Sequence, residues 1–300
     1  MTTLPRRSFL LASGLSVVTV ACGNDRSTSE SPPSESTAGA KPSYVLIASF
    51  PQGDPYATPG APQRLPFLIA EGGDAPLDRI DGPLTFTVTK DQVAVGAPIQ
   101  VEPRSTGLTR AYLPVEVTFT DVGIHDLHTT YRGAKLTASI EVFPPEQVIL
   151  PQRGAPLPPV DTATTAATQG VDPICTNDPP CPLHSTSLSD SLRAGRPVAL
   201  LLATPRFCQT AICGPVLDEL LAAVRNRTDI DAIHVEPYAN PLAVESIAQA
   251  DLTSLTSAYQ MSFEPCLFVT NSKGILVRRL DSIYDRTELN EALDAAVASE

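Results

Sequence analysis

Several things are scarce in this chain of 300 residues, and each scarcity excludes something. No apolar run reaches the roughly 18 residues of a bilayer-spanning helix, so a permanent membrane helix is not expected. Glycine, at 17 residues, is too sparse for a collagen repeat. Basic side chains number 21 against 33 acids, for a formal charge of -12 with no basic block, which argues against nucleic acid as a partner. Tryptophan is absent, and no cysteine falls between residues 22 and 175. Any thiol chemistry beyond the N-terminus is therefore confined to the second half. What is plentiful is proline, at 30 residues about twice its usual share, which limits helix and favours short strands, turns and stiff linkers. With 42% apolar residues the chain can bury two modest cores, so two domains of ordinary size are expected.

The N-terminus is built like an export signal, with Arg6 and Arg7 ahead of Ser8-Phe9-Leu10, a short apolar stretch from Leu11 to Val20, and Ala21-Cys22. Arg-Arg-Ser-Phe-Leu resembles the twin-arginine signal, a receptor-read address. Thr19-Val20-Ala21-Cys22 resembles a bacterial lipobox, with Thr19 where leucine is usual. These resemblances imply a signal peptide over 1–21 and cleavage that leaves Cys22 as a lipidated, palmitate-bearing N-terminus. The protein would then sit on the extracytoplasmic face of the bacterial cell membrane. Residues 22–42, rich in Ser, Thr, Pro and Glu, cannot form a core and read as a disordered tether. An exported chain meets oxidising conditions, where cysteine pairs favour disulfides over zinc.

From 43 to 146, short β-branched or alternating runs recur at Tyr44–Ser49, Leu84–Thr89, Ile99–Glu102, Leu113–Thr120, Ile124–Tyr131 and Leu136–Phe143. Prolines and glycines punctuate them at intervals suited to an antiparallel sandwich. Asp121-Val122-Gly123-Ile124-His125-Asp126-Leu127 resembles the Asp-x-Gly-x-Tyr-x-Cys segment that leads into strand F of immunoglobulin domains, with His125 in place of the tyrosine and Leu127 in place of the cysteine. The resemblance implies an immunoglobulin-like β-sandwich without its disulfide, serving as a spacer or protein-binding module. His125 and His128 are three apart, so on one strand they face opposite ways and do not form a metal pair.

Residues 147–169 have linker composition. The domain expected over 170–300 changes period: a short helix at Ser187–Arg193, a continuous apolar strand at Val198–Ala203, a helix over Pro215–Val224, a strand at Ile230–Val235, one longer or two short helices in Pro241–Tyr259, an apolar strand at Leu267–Val269, a hairpin back through Ile275–Leu280 and a helix over Glu288–Val297. That order points to an α/β layer sheet closed by a hairpin.

It resembles the thioredoxin fold on three further features: Cys208 and Cys213 directly after the first central strand, Cys213-Gly214-Pro215-Val216-Leu217-Asp218-Glu219-Leu220 as the following helix segment, and Glu264-Pro265 ahead of the next strand. The resemblance implies an α/β thioredoxin-like domain in which Pro265 is cis and faces an active cysteine couple. The family spacing is Cys-x-x-Cys, whereas here four residues intervene. Were residues 208–213 all helical, the cysteines would be about 7.5 Å apart along the axis alone. That exceeds the roughly 7 Å Cα limit for a disulfide, so pairing requires a loop and a helix that starts near Pro215. Aligned on Gly214-Pro215, Cys213 matches the family nucleophile; aligned downstream, Cys208 does. Both registers stay open.

Cys208 and Cys213 read as a reversible dithiol and disulfide couple, or as a static staple. Cys175 and Cys181 enclose a proline-rich loop, with His184 three residues on; Cys-x5-Cys-x2-His can ligate zinc or copper, but in an oxidising compartment a structural disulfide is expected. Cys266 reads as a small buried hydrophobe or a third partner of the couple. The resulting expectation is a lipid-anchored thiol-disulfide exchange protein. It would use Cys208 and Cys213, with Pro265 shaping substrate approach, no cofactor, no metal, and exported proteins bearing thiols or disulfides as partners. The alternatives are a copper-binding chaperone of thioredoxin fold drawing on His184 or His234, a peroxidase of peroxiredoxin type using Cys208 after Thr204-Pro205, and a non-catalytic binding lipoprotein with a structural disulfide.

Overall fold

The structure, a computed structural model, describes residues 43–72, 75–208 and 212–298. The export signal, the lipidation site at Cys22 and the tether lie outside these residues.

Seven strands occupy the first half: β1 (Tyr44–Ala48), β2 (Pro62–Glu71), β3 (Leu84–Lys90), β4 (Val93–Val101), β5 (Leu113–Thr118), β6 (Gly123–Tyr131) and β7 (Ala134–Val142). They form two antiparallel sheets ordered β1-β2-β5 and β4-β3-β6-β7. In β3 the apolar Leu84, Phe86 and Val88 are buried and Thr85 and Thr87 exposed, the period-two pattern of a strand with one wet face. Two of the hairpins close with two-residue turns whose residues all have positive φ, Asp91-Gln92 and Arg132-Gly133, matching the right-handed twist of the strands they join. His125 is buried against Phe119 while His128 hydrogen-bonds Thr89 and Thr137 on the other face of β6. Strand β2 has no counterpart among the expected strands because Pro62 and Pro66 interrupt its apolar pattern. Pro66 is opposite Pro114 of β5, and its carbonyl accepts from Ser49 on the other side, so the sheet loses few hydrogen bonds to it.

The second half contains α1 (Leu188–Arg193), β8 (Val198–Leu202), α2 (Cys213–Val224), β9 (Asp231–Val235), α3 (Ser254–Ala258), β10 (Cys266–Thr270), β11 (Leu276–Asp281) and α4 (Arg286–Ala298). Its sheet is ordered β11-β10-β8-β9; β8 and β9 run parallel, and the other pairings are antiparallel. Every residue of β8 is buried, as its unbroken apolar run requires. Val198, Leu200 and Leu202 face a core that continues into Phe67, Phe86 and Leu113 of the first two sheets. Ala199, Leu201 and Ala203 face a second core under α2 and α4.

A buried polar seam reinforces the shared core. Arg64 of β2 donates to both carboxylate oxygens of Glu288 on α4, at 2.5 and 2.7 Å, and to the carbonyls of Asp281 and Ile283. Tyr112 donates to Glu288 at 2.5 Å, Tyr56 donates to the Asp281 carboxylate, and Arg279 lies over the Tyr56 ring at 4.7 Å. Burial would raise the Glu288 carboxyl, but Arg64 overrides it and holds it below the ordinary value. The described residues accordingly form one compact unit.

This architecture corrects the expected pair of an immunoglobulin-like β-sandwich and an α/β thioredoxin-like domain. Among the described residues strand (33%) exceeds helix (17%); the strands form three sheets, and the four helices all belong to the second half. The helical layers that an α/β arrangement needs are thin. Within Pro241–Tyr259 the described residues hold one 3-10 turn at Ile247–Gln249 and the five-residue α3, while Tyr238 pairs with Leu252 as an isolated bridge. One strand pair of that sheet is parallel and two are antiparallel, so few crossover helices are required. The buried residues of the first half belong to one continuous apolar cluster with those of β8 and β10.

Candidate functional site

The end of β8 carries the chain out of the sheet at Ala203-Thr204, and two side-chain clusters meet there. In the first, Cys208 and Cys213 form a disulfide with a Cα separation of 6.0 Å, inside the permitted range. Helix α2 starts at Cys213 itself rather than near Pro215; Pro215 still lies in the first turn, where its missing N–H costs no intrahelical bond. Cys213 is fully buried and Cys208 half-buried. The Cys213 N–H, at the start of the helix, points to the Cys208 sulfur at 3.4 Å.

Glu264 completes this cluster. Its Oε2 lies 3.7 Å from the Cys213 sulfur and accepts the Thr204 N–H at 2.6 Å. Burial pushes its carboxyl up to about 7, an effect only partly offset by the Thr204 N–H. The Glu264-Pro265 peptide is cis and Pro265 is buried. Beside Glu264 opens a groove of about 300 Å³ lined by Leu202, Tyr238, Leu252, Met261 and Phe263. The sequence pointed to both cysteines and to Pro265; Glu264 entered only as the residue before that proline. A carboxylate ahead of a buried strand that follows a dithiol strand was the available signal.

The second cluster departs from expectation. Cys175 and Cys181 are free thiols, not a disulfide, and two imidazoles join them. The Cys181 sulfur lies 3.3 Å from Nε2 of His184 and 3.3 Å from Nδ1 of His234, and the Cys175 sulfur lies 3.6 Å from the same Nδ1. All four ligand atoms fall within 4.8 Å of one another. Exposures of 3%, 7%, 2% and 0% for Cys175, Cys181, His184 and His234 close the group to solvent. His234 comes from β9; the other three come from the loop ahead of α1. That loop is fixed to the sheet by His234 N–H to Leu183 O, Asp172 N–H to Ala239 O, and Thr176 N–H to the Glu236 carboxylate at 2.6 Å.

The electrostatics of this group are unusual. The Cys175 thiol is held far below its ordinary value, chiefly by its hydrogen bond with Cys181, and Cys181 is correspondingly raised by Cys175. Burial would depress His234, but Cys175 and Glu236 outweigh it and raise the imidazole. Burial also raises Glu236, whose Oε2 has no hydrogen-bond partner among the described residues.

The two clusters share one peptide group. The Ala203 carbonyl accepts from Nε2 of His234 at 2.9 Å, while the N–H of the same amide, on Thr204, donates to Glu264. Cys266 belongs to neither cluster. It is buried on the face of β10 that looks into the first core, donates to Asp281 at 3.1 Å, and its thiol is raised by burial. It is thus across the sheet from Cys213, which faces the second core. Comparison with protein-family models and with curated proteins finds no match for the chain.

Proposed function

We propose that the protein exchanges thiols and disulfides with exported proteins through the Cys208 and Cys213 couple. The observation that carries this reading is the contact between the buried Cys213 sulfur and the Glu264 carboxylate, on a disulfide whose other cysteine is only half-buried. The division of labour follows from exposure. Cys208 is the sulfur a partner can reach, and as a thiolate it is stabilised by the Cys213 N–H at the helix start. Cys213 resolves.

In the reducing direction, the Cys208 thiolate attacks one sulfur of a target disulfide, and the other target sulfur leaves as a thiolate. The Cys213 thiol then passes its proton to Glu264 and attacks Cys208, closing the internal disulfide and releasing the second target thiolate. Two electrons have moved from the couple to the target. Run backward, the same steps oxidise a target dithiol, and Glu264 returns the proton to the departing Cys213 sulfur. The groove beside Glu264 offers apolar surface for an extended segment of the partner. Residues 6–22 support placing this chemistry at the extracytoplasmic face of the bacterial membrane, tethered by lipid on Cys22.

Thiol trapping in graded glutathione buffers tests the reading. A working couple should exchange with the buffer in its native state. Cysteines that never react when native, or a midpoint far below about -300 mV, would mark the bond as a static staple and overturn the proposal.

A further inference from the structure

Cys175, Cys181, His184 and His234 take no part in that exchange, yet their arrangement is costly to explain by packing alone. Two thiols and two imidazoles, each no more than 7% exposed, sit with sulfur facing nitrogen at three contacts. We propose that these four residues bind a divalent, thiophilic ion of the zinc class in a closed tetrahedral site.

The distances fit an ion at the centre. For metal bonds of about 2.3 Å to sulfur and about 2.0–2.1 Å to nitrogen, a tetrahedral angle sets the sulfur to nitrogen edge at about 3.6 Å. The observed edges are 3.3, 3.3 and 3.6 Å. These three of the four sulfur–nitrogen edges therefore lie within a few tenths of an ångström of the bound value, and all four ligand atoms lie within 4.8 Å of one another. The ligand atoms are also aimed. Nε2 of His234 is committed to the Ala203 carbonyl at 2.9 Å, which places the ring proton there and turns the Nδ1 lone pair toward both sulfurs. The Cys181 N–H donates to the Cys175 sulfur at 3.3 Å, which suits a bound thiolate.

Charge decides the class of ion. Two thiolates and two neutral imidazoles around a divalent ion sum to zero, the state that a buried site favours. A monovalent ion such as Cu(I) would leave a net negative charge beside the buried Glu236. Four protein ligands leave no open position, the pattern of a site that holds structure rather than performs catalysis. The ion would clip the loop carrying Cys175, Cys181 and His184 to β9.

The full-length protein serves for the test, with cobalt(II) as the probe, followed by zinc displacement and metal analysis. One equivalent of cobalt should bring thiolate-to-metal charge-transfer absorption and the intense visible bands of tetrahedral coordination, and one equivalent of zinc should abolish both. His234→Ala should weaken zinc binding by at least about 100-fold, beyond the 10–100-fold typical of losing an outer-shell partner. The Cys208→Ser/Cys213→Ser variant should bind as wild type does, which separates this site from the exchange couple. Should His234→Ala fail to fold, disulfide mapping of the unreduced wild-type protein decides the matter. A Cys175–Cys181 disulfide there, absence of a tetrahedral cobalt spectrum in freshly reduced protein, or uptake of Cu(I) alone would each overturn the assignment.

Discussion

Replacing Glu264 with glutamine should change how stability depends on pH, and the structure sets the size of the change. The carboxyl ordinarily titrates near 4.5 and here at about 7. At 1.36 kcal/mol per pH unit, that gap amounts to about 3 kcal/mol. The sign follows from burial: the native state favours the neutral acid, so between pH 4.5 and 7 the unfolded chain has released its proton while the native protein retains it. Stability from this group is fully present below pH 4.5, falls across that window and levels off above about pH 7. Glutamine is neutral throughout and keeps an oxygen for the Thr204 N–H. Urea unfolding of the oxidised wild type and of Glu264→Gln, at matched pH values from 4 to 8, should show the wild type losing about 3 kcal/mol relative to the variant. Taking the difference removes oppositely signed contributions, such as that of Glu288, common to both proteins. A difference that stays flat to within about 0.5 kcal/mol would refute the claim that Glu264 is a half-buried acid poised near neutrality.

Cys213→Ser should accumulate mixed disulfides at Cys208 with partner proteins, and Cys208→Ser should accumulate far fewer, because only the first leaves the accessible sulfur without its resolving thiol; mass spectrometry of alkylated complexes checks this. Arg64→Met should cost about 3–5 kcal/mol by stranding the Glu288 carboxylate, and Arg64→Met/Glu288→Leu should recover most of it, as read by denaturant unfolding. A single variant as stable as wild type would show that the seam contributes little.

The sequence made the strands with clean alternation easy to locate, and β8 too, since Val198–Leu202 is apolar throughout. It was misleading where local pattern and tertiary context disagree. Pro62 and Pro66 hid β2, because the cost of a proline in a strand depends on which neighbour its nitrogen faces. The stretch 241–259 carries apolar residues at helical spacing, yet much of it is held extended or in tight turns, bonded to residues 236–239 just after β9. The contact between the two halves was obscured for a related reason: that Arg64 and Glu288, 224 positions apart, share a buried ion pair is written in neither local segment. At the site, Cys208, Cys213 and Pro265 could be read from position. His184 could be read beside Cys175 and Cys181 from its spacing, but His234 could not, since it reaches them only through the parallel pairing of β8 and β9.

The amide between Ala203 and Thr204 has a mechanical meaning of its own. A peptide group is a flat, stiff plate, and this one is gripped at opposite edges, by an imidazole on one side and by a carboxylate on the other. The two sulfur clusters, although built from different segments, are therefore both fastened to a single rigid plane, His234 through its oxygen edge and Glu264 through its N–H edge.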